Sequence, residues 1–240
     1  MKHFIGNILP GIVISAMLFT AVGCDRSSGR GHRPVTSVDS LRYLALGDSY
    51  TIGESVDESE RWPVRLAALL RDRGFRVEAP RVIAKTGWTT DELLEGIRKA
   101  APTGKYDLVS LMIGVNNQYR GRESEEYRMQ FRTLLERAVG FASGRADRVI
   151  VVSIPDWGVT PFAEGRERGR IAREIDAFNT ICREETESRG ARYVDVTPLS
   201  KEARDDPSLV AEDGLHPSGK MHAAWARLIL PEAAAALGED

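Results

Sequence analysis

Leu41-Arg42-Tyr43-Leu44-Ala45-Leu46-Gly47-Asp48-Ser49-Tyr50 joins a short apolar run to a glycine, an acid and a hydroxyl. An apolar stretch of this length, closed by a glycine, reads as a buried strand running into a turn. Beyond this turn the period changes. Residues 62–73 place Val64, Leu66, Leu69 and Leu70 at helical spacing, and Gly74 stops the pattern. Further along, residues 75–83, 108–113, 148–154 and 192–196 read as strands. Residues 89–100, 123–141, 164–188 and 218–237 read as helices, with Thr89 or Thr90 as cap for the first of these. Strand and helix thus alternate about five times. This order predicts an α/β domain over 41–240, a parallel sheet of about five strands covered by helices on both faces. Such sheets bind their ligands beyond the carboxyl ends of the strands.

The chain before Leu41 has another character. Met1-Lys2-His3 is basic, residues 5–22 are largely apolar, and Ala21-Val22-Gly23 places small residues before Cys24. This is the layout of an export signal over 1–23. The cysteine after small residues resembles a bacterial lipobox, although Ala21 stands where Leu is preferred. Cys24 is then the expected lipidation site. Residues 24–40, rich in Ser, Gly, Arg and Pro, are expected to form a flexible tether. The expected localisation is the cell envelope of a bacterium, with the protein held on a membrane by its lipid anchor.

Composition narrows the function. The 240 residues are 42% apolar and 28% charged, with a formal net charge of -2. That balance, without a basic stripe, argues against a nucleic-acid partner and leaves a small or lipid substrate. Cys24 and Cys182 are the only cysteines. They build neither a disulfide framework nor a zinc site, and Cys182 reads as a buried small apolar residue. No metal and no cofactor are expected.

Uncommon residues gather at the predicted strand ends: Gly47-Asp48-Ser49-Tyr50, Lys85-Thr86-Gly87-Trp88, Gly114-Val115-Asn116-Asn117 and, before the last helix, Asp213-Gly214-Leu215-His216-Pro217. A parallel sheet puts all of them on one rim. A serine becomes a nucleophile when a base takes its proton and donors await the oxyanion. Ser49 offers the hydroxyl, His216 the base, and Asp213 the carboxylate that orients the ring through Nδ1. The backbone N–H of Ser49, the N–H of Gly87 and the amide of Asn116 would form the oxyanion hole. Taken singly, each residue has a plainer explanation as a cap, a turn or a loop residue. Their joint placement favours catalysis.

Those four blocks, in that order over residues 41–230, resemble the SGNH (GDSL) hydrolases. The resemblance implies a flavodoxin-like three-layer α/β/α fold, no metal, and ester hydrolysis through an acyl-enzyme. Tyr50 replaces the commonest Leu of the first block, and Asn117 stands where Asp is usual in the third. Asn117 is expected to act on loop structure more than on chemistry. Two other motifs fail. Residues 214–220 fit G-x-x-x-x-G-K, but Met221 stands where Ser or Thr is required. Around Ser49 there is no G-x-S-x-G.

Trp88, Asn117, Tyr119, Trp157 and Phe162 are candidate pocket residues, the aromatic ones either lining an acyl site or packing loops down. His222 is expected on the surface of the last helix or packed near Trp225. The expected activity is that of a carboxylic ester hydrolase: esterase, lipase or lysophospholipase. A carbohydrate O-acetyl esterase, an acyltransferase of the cell envelope and a non-catalytic surface binding protein are the alternatives.

Overall fold

The computed structural model describes residues 40–238. The expected signal at 1–23, Cys24 and all but the last residue of the tether lie outside the described residues. Five strands form one sheet: β1 (Tyr43–Gly47), β2 (Arg81–Ala84), β3 (Leu108–Met112), β4 (Val149–Val152) and β5 (Arg192–Val194). Their order is β2-β1-β3-β4-β5, with every neighbouring pair parallel. One register row crosses the sheet through Ile83, Leu46, Leu111, Val151 and Tyr193. The strand composition explains the order. β1, β3 and β4 are buried at every position, as suits strands covered on both faces, whereas β2 and β5 are only partly buried and take the edges.

The helices, in chain order, are α1 (Ser49–Ile52), α2 (Trp62–Asp72), α3 (Thr90–Ala100), α4 (Val115–Tyr119), α5 (Ser124–Phe141), α6 (Arg168–Ser188), α7 (Thr197–Lys201) and α8 (Gly219–Leu237). α2 packs on α8, and α3, α5 and α6 pack in succession, so helices flank the sheet in a three-layer α/β arrangement. Trp62 of α2 and Trp225 of α8 are fully buried. His222 is buried as well: its Nδ1 accepts from the Trp62 N–H at 3.3 Å, and its ring lies 5.6 Å from that of Trp225. Packing, not the surface, is therefore its place. Burial pushes this imidazole down to about 3, so it remains neutral in the folded protein. Cys182 is buried, as expected.

Two elements differ from the sequence reading. Residues 75–83 do not form one strand. Val77 makes an isolated bridge to Leu41, and β2 starts only at Arg81. Pro80, between them, has no N–H for a ladder. The helix expected from 164 starts at Arg168, because Pro161–Ala163 forms a separate 3-10 turn and Gly165 adopts φ 73°. Among the described residues, no helix is long and apolar enough to cross a membrane.

The chain leaves β1 for β2 on one side and later enters β3 on the other. The carboxyl ends of β1 and β3 therefore border the crevice where the strand order reverses.

Candidate active site

Ser49 opens α1 directly beyond β1. Asp48 caps that helix, its Oδ1 accepting from the Tyr50 N–H at 3.0 Å. The turn is tight. A Cβ on Gly47 would stand 2.1 Å from Thr51 Oγ1 and 2.5 Å from the Met112 carbonyl oxygen, so only glycine lets β1 pass this close to β3 and to its own helix. As the first helical residue, Ser49 presents a backbone N–H that the helix itself does not use. Burial pushes the Asp48 carboxyl up to about 7, against bonds from the Tyr50 and Asp48 N–H groups.

His216 and Asp213 share one loop before α8. The Ala211 N–H donates to the His216 carbonyl at 2.7 Å, and Val210 bridges Pro217, which closes the loop at its base. His216 Nδ1 lies 2.6 Å from Asp213 Oδ2. Against a carboxylate that nitrogen is the donor, which leaves Nε2 as the acceptor. The Leu215 and His216 N–H groups donate to Asp213 Oδ1 at 2.9 Å each. Ser55 Oγ donates to Oδ2 at 2.7 Å. Burial raises the Asp213 carboxyl, but bonds from His216, Leu215 and Ser55 outweigh it and hold the group well below the usual carboxylate range.

Ser49, Asn116 and His216 line one cavity of 160 Å³. Tyr119, Trp157 and Phe162 form its aromatic wall, their ring centroids 5.5 to 6.3 Å apart. Trp157 is held by its Nε1, which donates to Gln118 Oε1 at 2.8 Å. The Arg166 guanidinium lies 5.0 to 5.5 Å from all three rings. Tyr50, Val115 and Leu215 complete the lining. All three stand inside the blocks quoted from the sequence, next to Ser49, Asn116 and His216, and that adjacency was the signal that could have singled them out.

The remaining candidates fall elsewhere. Asn116 Nδ2 donates to the Trp88 carbonyl at 3.0 Å, which ties the turn containing Gly87 to α4. Gly87 sits in that turn at φ 83° and does not line the cavity. Its carbonyl accepts from Arg120. Asn117 does not line the cavity either. It is buried, with Oδ1 accepting from the Thr90 N–H at 3.1 Å and Nδ2 donating to Thr90 Oγ1 at 2.7 Å. It fastens α4 to the start of α3. Trp88 is also a correction: its ring packs on α3, where a Cβ at Gly96 would come within 2.1 Å of it. The missing side chain at Gly96 creates that slot.

This geometry supplies a hydroxyl, an oriented imidazole and backbone and amide donors around one small cavity.

The GDSL-like Lipase/Acylhydrolase family model matches residues 45–224. Among solved structures, TesA is 19% identical, with 82% of this chain and 100% of that chain covered and a TM-score of 0.64. Axe2, an acetylxylan esterase from Geobacillus stearothermophilus, is 22% identical, with coverages of 83% and 95% and a TM-score of 0.62. A lipase/acylhydrolase from Enterococcus faecalis is 20% identical, with coverages of 80% and 94% and a TM-score of 0.62. At such identities the likeness carries the fold. No curated protein sequence matches this chain.

Proposed function

Since the chain belongs to the GDSL-like lipase/acylhydrolase family and is an ester hydrolase of that type, we propose that it cleaves short-chain carboxylic esters through an acyl-enzyme on Ser49. In the first half-reaction His216 Nε2 takes the Ser49 proton as Oγ attacks the ester carbonyl. The negative oxygen that forms is met by the Ser49 N–H, the Gly87 N–H and the Asn116 amide. The amide nitrogen of Asn116 carries two hydrogens, so its bond to the Trp88 carbonyl leaves one for the oxyanion. His216 then gives its proton to the departing alcohol. In the second half-reaction it activates water, which releases the acid. Asp213 holds the ring in the required tautomer throughout.

The observation that carries this reading is the 2.6 Å bond between Asp213 and His216, with His216 in the same cavity as Ser49 and Asn116. The size of the cavity supports the short chain. At 160 Å³ it lies well below the ~300–1,000 Å³ usual for drug-sized ligands. An acetyl to butyryl group matches that space better than a long fatty chain. The half-exposed rings of Tyr119 and Phe162 leave the alcohol side wide, which keeps a carbohydrate O-acetyl ester as a second reading. An acetylxylan esterase among the structural neighbours accords with it.

Hydrolysis of p-nitrophenyl acetate, butyrate and octanoate by the protein and its Ser49→Ala variant tests the proposal. Turnover is expected on the two short esters and is expected to vanish in Ser49→Ala, with the fold retained by circular dichroism. Turnover that survives the substitution, or a preference for octanoate, would overturn it.

A further inference from the structure

Beyond the three proposed triad residues, a fourth side chain reaches the acid. Ser55 Oγ donates to Asp213 Oδ2, the same oxygen that accepts from His216 Nδ1. The contact joins residues far apart in the chain, and nothing in the local sequence around Ser55 announces it. The backbone is arranged to make it. Ser55 adopts φ 65°, a left-handed conformation that a non-glycine residue takes at a cost. It stands just beyond Gly53, the left-handed cap that ends α1. Its neighbour Glu54 accepts a hydrogen bond from Thr86, beside Gly87. The segment after the nucleophile helix thus touches both the acid and the turn of the expected oxyanion hole.

We propose that Ser55 is a positioning residue for the ester hydrolysis proposed above: its hydroxyl fixes the Asp213 carboxylate so that Oδ2 faces His216 Nδ1. The inference rests on the Ser49–His216–Asp213 reading. Oδ1 is already fixed by two backbone N–H groups, and Ser55 supplies the second, lateral bond that stops Oδ2 from swinging. Both partners lie at the rim of the site, where water can replace a lost hydroxyl, but a water is not held by the chain in one direction.

Removal of the hydroxyl has two effects. The carboxylate gains freedom, which lowers the fraction of correctly aligned base. Its charge is also no longer shared with Ser55, so it stabilises the protonated imidazole more strongly. The acid limb of the kcat/KM profile therefore moves to higher pH. Other titratable groups face His216: Tyr50 beyond β1, with ring centroids 5.5 Å apart; Asp156 beyond β4, in a small cavity that His216 also lines; and His222 of α8. Asp48, two residues before Tyr50, is the other buried acid at the start of α1. None of them is altered by the test.

The experiment compares wild type, Ser55→Ala and Ser55→Gly by full kcat/KM pH profiles on p-nitrophenyl acetate and by thermal melting. Ser55→Gly suits the left-handed backbone, so it is expected to melt no lower than wild type. Both variants are expected to lose ~10-fold in kcat/KM, the scale of one lost hydrogen bond to a charged group. Both are expected to shift the acid limb upward. A Ser55→Gly enzyme with kcat/KM within twofold of wild type and an unmoved limb would overturn the role of Ser55 while leaving the acyl-enzyme intact. Activity that persists in Ser49→Ala would instead remove the reading on which the inference rests.

Discussion

Asp48→Asn isolates the energetic cost of the turn between β1 and α1. Asp48 is fully buried. Its Oδ1 accepts the Tyr50 N–H, and its Oδ2 has no hydrogen-bond partner among the described residues. Burial moves its pKa from 3.8 to about 7. Between those two values the folded state binds more protons than the unfolded state, so this group makes stability fall as pH rises from about 4 to above 7. The gap is about three pH units, each worth about 1.4 kcal/mol, which gives about 4 kcal/mol as the upper scale of the effect. That is a large part of the ~5–15 kcal/mol a domain holds. Asparagine keeps the capping oxygen and carries no charge. Urea unfolding of wild type and Asp48→Asn, each at pH 4.5 and pH 8, yields a double difference in which other groups cancel. His222 is one of these: with its folded value lowered to about 3, its contribution is lost as pH falls below 6.5, in the opposite direction. The variant is expected to gain on wild type at pH 8 by several kcal/mol relative to pH 4.5. Parallel stability curves for the two proteins would refute the reasoning.

Two further outcomes are expected at the site. Asn116→Ala is expected to lower kcat by ~10²–10³ with KM little changed, as for loss of an oxyanion donor; steady-state kinetics that place the loss in KM would make Asn116 a ground-state binding residue. Gly96→Ala would ordinarily gain about 1 kcal/mol within a helix. Here its Cβ meets the Trp88 ring, overpacking costs ~1–3 kcal/mol, and the Trp88 carbonyl that receives the Asn116 amide moves with it. A lower melting temperature and a reduced kcat are expected, and a fully active variant that melts higher would show that the ring has room to swing.

The central strands were legible because burial on both faces demands continuous apolar runs, and the segments at β1, β3 and β4 have them. The edge was not. Phe75 and Val77 alternate like strand residues, yet Pro80 breaks the ladder, and only the tertiary contact with Leu41 shows how far pairing extends. Helices of four or five residues, such as α1 and α4, are too short to show a period. Around the cavity, the blocks read from the sequence do come together: Ser49, Asn116 and His216 line it, and Asp213 bonds His216. Residues defined by a partner distant in sequence could not be read in this way. Trp88 turned from the cavity because Gly96 offered it a slot, Asn117 went to Thr90, and Ser55 met Asp213 across the fold.

Asp213 and His216 lie on a loop that leads into α8, and α8 is buried against α2, where the Trp62 N–H meets His222. On a ribosome this arrangement is assembled in a fixed order. Ser49 emerges early, whereas His216 comes about 170 residues later, on the order of ten seconds or more at ~5–20 residues per second. During that interval Ser49 and His216 cannot share a cavity. They can do so only once the segment leading into α8 has been made. On the reading proposed above, the nascent chain is an inert alcohol, and the esterase exists only once the last element of the fold has been made.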